Sequence, residues 1–405
     1  MAQRLEGARI LIYSHDTFGL GHLRRCRTIA HALVDRFKGL SVLILSGSPI
    51  IGSFDFRARV DFVRIPGVIK LHDGAYKSLG LHIDLEQTMA MREAIIRHTA
   101  QAFRPHLFLV DKEPLGLKGE VVPTLEMLKA AGTRLVLGLR DIMDDPEMLS
   151  REWAQKQVMP ALQDLYDDIW VYGLPEIAEP LAGLHCPPQV EAKMTHTGYI
   201  RRTLPQRDRA RDTPSGGEPF VLVTVGGGGD GESVVDWVLA AYEHDPDIPY
   251  HAVIVLGPFM APARQRAFRL RAGRLRRVQM LTFDTHMERL MVQAAGVVAM
   301  GGYNTFCEIL SFDKPAILVP RVVPRREQFL RAKRAAELGL VRMLDIDSGN
   351  DPAEMAAALR GFAEQAPPSA HGAEAMLNGL DQIAALAARH LPVRRRRARA
   401  AVSAG

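Results

Sequence analysis

Residues 296–308 read GVVAMGGYNTFCE, and this segment indicates the fold class most clearly. The short apolar run GVVAM predicts a buried strand, and the Gly301-Gly302 pair that follows predicts a tight turn. From Tyr303 onward the pattern is typical of a helix. A strand, a glycine turn and a helix in succession are the opening half of a β-α-β unit, whose strands pair in parallel.

The same alternation of short apolar runs and amphipathic stretches extends along the whole chain, which predicts the α/β class with mostly parallel, doubly wound sheets. The predicted strands of a first lobe are 9–15, 41–46, 61–65, 106–111, 134–139, 169–172 and 195–200, with helices at 85–103, 121–131 and 151–166. The predicted strands of a second lobe are 220–225, 250–256, 278–283, 296–300, 315–320 and 341–346, with helices at 353–364 and 373–390. Two lobes of this kind face each other across a cleft, and ligands bind at the carboxyl ends of such strands.

The domain boundaries follow from breaks in this pattern. Residues 201–219 have no apolar periodicity and are rich in proline, glycine and charge, so we interpret them as a linker between lobes at 1–200 and 220–390. Residues 391–405 are predicted to be a basic, disordered tail.

The charge balance argues against a nucleic-acid partner. The 405-residue chain has 51 Lys and Arg against 46 Asp and Glu, a formal charge of +5. Six of the arginines lie in the last 17 residues, and without them the rest of the chain carries −1.

The three cysteines form no C-x-x-C pair, and no apolar run approaches the roughly 20 residues of a membrane span. A cytoplasmic location is therefore predicted. Peripheral contact with an anionic membrane face is compatible with the tail and with the seven arginines of 264–277.

Two further segments repeat the order of strand, glycine turn and helix. GGGGDG (226–231) follows a strand of the second lobe, and Gly19-Leu20-Gly21-His22 follows the first strand of the chain. Glycines let the backbone approach a ligand closely, and free amides at a helix start favour an anion. We therefore predict that Gly21, Gly227, Gly228 and Gly302 approach phosphate, and that His22 points into the cleft. For GGGGDG the alternative is a flexible hinge. For Gly19-Leu20-Gly21-His22 the alternative is an ordinary tight turn.

Polar side chains near the same strand ends complete a candidate binding site. Glu308 lies one or two turns into its helix, where a carboxylate can accept both vicinal hydroxyls of a ribose, although an acid near a helix start is also common. After the strand at 315–320, Arg321, Arg325 and Arg326 offer positive charge, while Glu327 and Gln328 can bind sugar hydroxyls. Together these loops predict a site for a nucleotide diphosphate that carries a polar sugar.

Residues 278–340 resemble the glycosyltransferases of family 28, the GT-B family that includes the enzyme forming lipid II. The segments LTF (281–283), GGYNTFCEIL (301–310), KPAILVP (314–320) and RREQFLRA (325–332) occur in that family's order. The resemblance implies the GT-B architecture, with Phe283 beside the nucleobase, Gly302 and Tyr303 at the diphosphate, Glu308 at the ribose, and Glu327 and Gln328 at the donor sugar. Asn304 and Arg321, which adjoin these residues, are further donor-site candidates. The resemblance departs at Phe18 and Leu20, where the family has glycine, and at Glu327, which replaces a glutamine.

The resemblance also implies the reaction: transfer of a hexose-type sugar from a UDP-linked donor to an acceptor hydroxyl, with inversion and without a metal or other cofactor. His22 is expected to act in the catalytic cleft, with Asp16 or Asp111 as a further candidate base; His15, Glu113 and Asp141 also follow strand ends. The segment GLGHLRRCRTIAHAL (19–33) is similar to a nucleotide-sugar hydrolase as well. Hydrolysis, 2-epimerisation and non-catalytic nucleotide-sugar binding are therefore alternatives. The acceptor, whether a glycan, a lipid-linked sugar or a small molecule, is open.

Overall fold

The first lobe is built on a seven-stranded parallel sheet with the strand order β3-β2-β1-β6-β7-β8-β9. The computed structural model describes residues 3–15, 21–70, 76–204, 215–227, 229–284, 287–345 and 349–392. The strands of this lobe are β1 (Gln3–Ser14), β2 (Phe37–Ser46), β3 (Val60–Arg64), the antiparallel pair β4 (Val68–Lys70) and β5 (Tyr76–Ser78), β6 (Leu107–Asp111), β7 (Arg134–Arg140), β8 (Asp168–Tyr172) and β9 (Met194–His196). Its helices are α1 (Gly21–Arg36), α2 (Leu85–Phe103), α3 (Val122–Ala130), α4 (Pro146–Lys156), α5 (Val158–Asp164) and α6 (Pro188–Glu191).

The second lobe has a six-stranded parallel sheet in the order β12-β11-β10-β13-β14-β15. Its strands are β10 (Phe220–Thr224), β11 (His251–Val255), β12 (Val278–Leu281), β13 (Gly296–Ala299), β14 (Ala316–Leu318) and β15 (Arg342–Met343). Its helices are α7 (Glu232–His244), α8 (Pro262–Ala272), α9 (Met287–Gln293), α10 (Tyr303–Ser311), α11 (Glu327–Glu337), α12 (Pro352–Arg360) and α13 (Gly379–Ala388). In both lobes the strand order reverses beside the first strand, which is the Rossmann arrangement. The predicted α/β class is confirmed.

The period-2 alternation of side chains places apolar residues on both faces of each sheet. On β1, Ile10 and Ile12 belong to one buried cluster, and Leu11 and Tyr13 belong to another on the opposite face. Both faces are buried, so the strands are apolar throughout, as parallel sheets covered by helices require.

Buried contacts join the two lobes. Arg331 of α11 donates two hydrogen bonds to Asp141, which follows β7, at 2.6 and 2.7 Å, and neither side chain is exposed. The ring of Tyr199 stacks on that of Tyr303 with centroids 6.0 Å apart. Beyond α12 the chain returns to the first lobe, where Leu391 is buried and His390 pairs with Asp168 at 3.1 Å. Leu391, which the sequence predicts to be in the tail, is thus packed; residues 393–405 lie outside the described residues.

One predicted helix is wrong in detail. The helix expected at 151–166 is two helices, because Gln157 adopts a left-handed conformation with φ 51°. The break places Pro160 in the first turn of α5, where its missing N–H costs nothing.

The arginine-rich segment 264–277 contains both buried and exposed apolar side chains: Phe268 and Ala272 are buried, whereas Leu270 is 73% exposed. Two of its arginines are neutralised by acids of α7: Arg264 pairs with Glu232, and Arg271 with Asp236 and Glu243. Within the described residues, none of the helices combines the length and apolar composition that crossing a bilayer requires.

Candidate active site

The carboxyl ends of the two sheets face each other across a cleft of about 300 Å³. It lies where the strand order reverses in each lobe, after β1 and β6 on one side and after β10 and β13 on the other. The lining residues of the first lobe are Gly21, His22, Arg24, Arg25, Phe54 and Arg140. Those of the second lobe include Gly226, Gly227, Phe283, Gly302, Tyr303, Asn304, Glu308, Arg321, Glu327 and Gln328.

The second lobe presents bare backbone to the cleft at the start of α10. Gly302 is the residue that precedes the helix, and a Cβ built on it meets no atom within 4 Å. Gly301 has φ +81°, a conformation that L side chains rarely adopt, and its Cβ would lie 3.2 Å from Leu318. The free amides of a helix start therefore face open space, which is an arrangement suited to an anion.

Glu308 lies deeper on the same helix and is only 3% exposed. Arg24, from the first lobe, donates to its Oε1 at 2.6 Å and to Glu288 at the same distance. Burial raises the pKa of Glu308, although the charge of Arg24 lowers it. Asn304 is also held from outside its own helix, because it donates to the Gly21 carbonyl at 2.9 Å and accepts from Arg202 at 2.7 Å.

Aromatic side chains border the cleft near this end. Phe283 is 41% exposed, which is unusual for a phenylalanine and leaves its ring available to a flat ligand. Phe54, from the first lobe, also lines the cleft, and sequence reasoning missed it because nothing local marks a lone loop phenylalanine as functional.

Arg321 separates two carboxylates in the loop after β14. It lies 2.7 Å from Asp230 of the glycine-rich turn and 2.9 Å from Oε1 of Glu327. The other oxygen of Glu327 is buried and has no hydrogen-bond partner among the described residues. The prediction that Arg325 and Arg326 supply charge to the same site is wrong. Arg325 pairs with Asp144 and Glu152 of the first lobe, and the Arg326 amide donates to Asp144 at 3.1 Å.

On the first lobe, His22 and Asp111 form a hydrogen-bonded pair. His22 Nδ1 lies 2.6 Å from Oδ2 of Asp111, which is fully buried at the end of β6. Arg25 donates to both carboxylate oxygens, at 2.8 and 2.6 Å. Burial would raise the pKa of Asp111, but Arg25 and His22 together hold it below its usual range. The ionised carboxylate accepts the proton on Nδ1, which leaves Nε2 of His22 as the ring nitrogen that can meet a ligand.

Burial lowers the pKa of His22 to about 4, although the hydrogen bond to Asp111 raises it. The imidazole is therefore neutral at pH 7 and able to accept a proton. Asp111 lies behind the ring rather than at the cleft, so its position suits orientation of His22 and not direct proton transfer from a substrate.

The remaining candidate bases are engaged elsewhere or not described. Asp16 lies outside the described residues, and so does Gly228, which the sequence predicts at the phosphate rather than as a base. Glu113 pairs with Lys112 at 3.1 Å, and Asp141 pairs with Arg331. Burial lowers the pKa of His15 to about 3. Of the described residues that line the cleft, none is His15, Glu113 or Asp141. Across the described ranges, His, Cys, Asp and Glu form no cluster of three that could hold a metal ion.

Comparison with known proteins assigns the second lobe. Residues 220–384 match the model of the glycosyltransferase family 28 C-terminal domain. The chain is a glycosyltransferase, and its second lobe is similar to the C-terminal domain of family 28. The match covers the glycine-rich turn, the start of α10 and the loop from Arg321 to Gln328, so the segment that carries the resemblance in sequence is also the one that lines the cleft.

Solved structures extend the likeness of this glycosyltransferase to both lobes. The glycotransferase of kitacinnamycin superposes with a TM-score of 0.65 at 17% identity, covering 96% of this chain and 100% of that one. Acinetobacter baumannii MurG superposes with 0.57 at 13% identity, covering 94% and 99%. The glycosyltransferase VinC in complex with DTDP superposes with 0.59 at 16% identity, covering 94% and 98%. These likenesses confirm the predicted GT-B fold. No curated protein sequence matches the chain.

Apart from Arg325 and Arg326, the structure of the glycosyltransferase brings together the described residues that the sequence predicts at the donor site. They are Gly21, Gly227, Phe283, Gly302, Tyr303, Asn304, Glu308, Arg321, Glu327 and Gln328. Sequence reasoning missed the contact between Arg24 and Glu308, because a pair 284 residues apart has no local signal.

Proposed function

We propose that this glycosyltransferase moves a hexose-type sugar from a UDP-linked donor to an acceptor hydroxyl, with inversion and without a metal. The main support for the proposal is that the two lobes contribute different groups to opposite walls of one cleft. The bare backbone at Gly302 faces a histidine whose Nδ1 is held by a buried carboxylate.

The second-lobe wall supports the donor half of the proposal. A diphosphate fits the amides before α10, where Gly302 leaves open the space that a side chain would occupy, and the backbone of Gly227 lines the same cleft. The nucleobase would lie against the exposed ring of Phe283. The ribose hydroxyls would use Glu308, which keeps Arg24 on one of its oxygens. The related fold of VinC was solved with DTDP, so thymidine donors belong beside uridine donors in any test.

The first-lobe wall supports the chemistry. A hydroxyl of the acceptor that approaches Nε2 of His22 can lose its proton as it attacks the anomeric carbon of the sugar. Asp111 stabilises the resulting imidazolium, and Arg25 keeps Asp111 ionised. The bond to the departing diphosphate breaks on the opposite side of that carbon, and the helix amides before α10 stabilise its charge. This in-line geometry predicts inversion.

The test is a donor panel with product detection. Purified protein is titrated calorimetrically with UDP-, dTDP- and GDP-sugars, and bound donors are incubated with and without candidate acceptors before mass spectrometry. We expect a uridine donor to bind and its sugar to appear on an acceptor. Free sugar formed without acceptor would assign hydrolysis instead, and a 2-epimer would assign epimerisation. Failure of every nucleotide sugar to bind would contradict the proposal.

A further inference from the structure

Arg140, the last residue of β7, lines the cleft without a carboxylate partner. The other cleft arginines are all paired: Arg24 with Glu288 and Glu308, Arg25 with Asp111, and Arg321 with Asp230 and Glu327. Among the described residues, none hydrogen bonds to the Arg140 guanidinium, and its Nε is buried with no partner at all. Burial lowers the pKa of Arg140 to about 10, although the charge of Glu327 raises it. The side chain is still a cation at neutral pH.

Its neighbour in sequence cannot neutralise it. Both oxygens of Asp141 accept from Arg331, and Oδ2 also accepts from the Tyr199 hydroxyl at 2.8 Å. An unpaired, partly desolvated guanidinium is costly unless an anion arrives to bind it. Among the described residues, therefore, the carboxylates leave one positive charge at the cleft unmatched.

The position of Arg140 along the cleft points to the sugar end. The carboxylate whose charge acts most strongly on it is Glu327, on the opposite lobe. Glu327 also has an unmatched atom, because its Oε2 is buried without a partner among the described residues. One ligand with a hydroxyl for Glu327 and an anionic group for Arg140 would satisfy both.

We propose that Arg140 binds a carboxylate or phosphate carried by the transferred sugar or by the acceptor, so that one of the two substrates is acidic. The proposal rests on the proposed function. A guanidinium pairs with either anion through two parallel hydrogen bonds, which an uncharged hydroxyl cannot do. The diphosphate of the donor is a different group, common to all nucleotide sugars, and its place is the backbone before α10.

The test compares Arg140→Met, which removes the charge, and Arg140→Lys, which keeps it, with wild type and with Arg151→Met at an exposed surface site. In the donor arm, dissociation constants are measured for UDP, UDP-glucose and UDP-glucuronate. In the acceptor arm, KM is measured for glycosides that differ only by a carboxylate or phosphate. Far-UV circular dichroism and UDP binding verify that each variant is folded.

We expect wild type to prefer the acidic member in one arm by about 10-fold or more, since charge-assisted hydrogen bonds have roughly that effect. Arg140→Met should abolish the preference, Arg140→Lys should restore part of it, and UDP affinity should change less than about twofold. The arm that shows the preference identifies the acidic substrate. The proposal would be overturned if acidic and neutral donors had equal dissociation constants and acidic and neutral acceptors had equal KM values. It would also be overturned if Arg140→Met bound UDP itself more weakly than wild type. If wild type binds no nucleotide, the proposed function fails and this proposal fails with it.

Discussion

The two walls of the cleft differ in what they present to a ligand: one is mainly backbone and the other mainly side chains. The donor wall is largely backbone, with glycines at 226, 227 and 302 in its lining; at Gly226 and Gly302 an added Cβ would meet no atom within 4 Å. The catalytic wall consists of side chains whose charges are fixed by partners far away in sequence; His22 and Asp111 are 89 residues apart. Backbone amides bind the diphosphate that all nucleotide sugars share, whereas the positioned side chains of the catalytic wall act at the one bond that is broken in the transfer. Binding and chemistry should therefore be separable by mutation.

The largest effect is expected at the catalytic wall. His22→Gln keeps a polar side chain but removes the proton acceptor, so kcat should fall by about 10²–10⁴-fold. Donor affinity should stay within about threefold, because the diphosphate contacts lie on the other lobe. The measurement is steady-state kinetics beside calorimetric donor binding, with His98→Gln on the exposed face of α2 as the matched control. A variant with unchanged kcat would remove His22 from the mechanism.

Asp111→Asn tests whether the catalytic wall depends on the negative charge of Asp111. The change leaves Arg25 buried without its carboxylate, which should cost about 3–5 kcal/mol of stability, together with a loss of kcat because His22 is no longer oriented. Urea unfolding and kcat are measured at pH 7, and Asp164→Asn at an exposed position is the control. Since the pKa of Asp111 is depressed, its stabilisation is present above the ordinary carboxyl pKa and is lost as pH falls through the folded value. Stability equal to wild type would contradict this account of the pair.

Gly302→Ala tests the donor wall. The added methyl meets no protein atom, so the melting temperature should match wild type, but it occupies the space assigned to the diphosphate and donor affinity should fall by at least about 10-fold. Gly301→Ala is the contrasting variant. Its left-handed backbone conformation should cost about 1–2 kcal/mol of stability. Calorimetric titration and thermal melts measure both. Tight donor binding by a folded Gly302→Ala protein would show that the diphosphate lies elsewhere.

These expectations show how much the sequence could predict. The donor wall depends on contiguous motifs, in which a strand, a glycine turn and a helix follow one another, so local pattern suffices to place Gly302 and Glu308. The catalytic wall depends on pairings between distant segments. Nothing local in the sequence marks Arg25 as buried, and only the fold shows that it binds Asp111. Likewise Arg325 and Arg326 adjoin the donor loop in sequence, yet they face carboxylates of the first lobe.

The smallest expected effect is in the pH profile. Because burial lowers the pKa of His22 to about 4, the base stays neutral as the pH falls from 7 to 5.5, and kcat/KM should change by less than about twofold. A histidine with the ordinary pKa of about 6.5 would lose roughly tenfold of its activity over the same range. Buffer-matched kinetics between pH 5 and 8 distinguish the two, and a decline centred near 6.5 would mean that His22 is solvated in the working enzyme.

The central claim is that the donor wall binds the nucleotide sugar and the catalytic wall carries out the transfer. The single-turnover rate of sugar transfer, measured as a function of donor concentration, tests this claim. His22→Gln should lower the plateau while the concentration at half-maximal rate stays at the wild-type value. Gly302→Ala should raise that concentration and leave the plateau within a few-fold of wild type. If the two variants change plateau and half-maximal concentration alike, the walls do not divide binding from chemistry and the account is wrong.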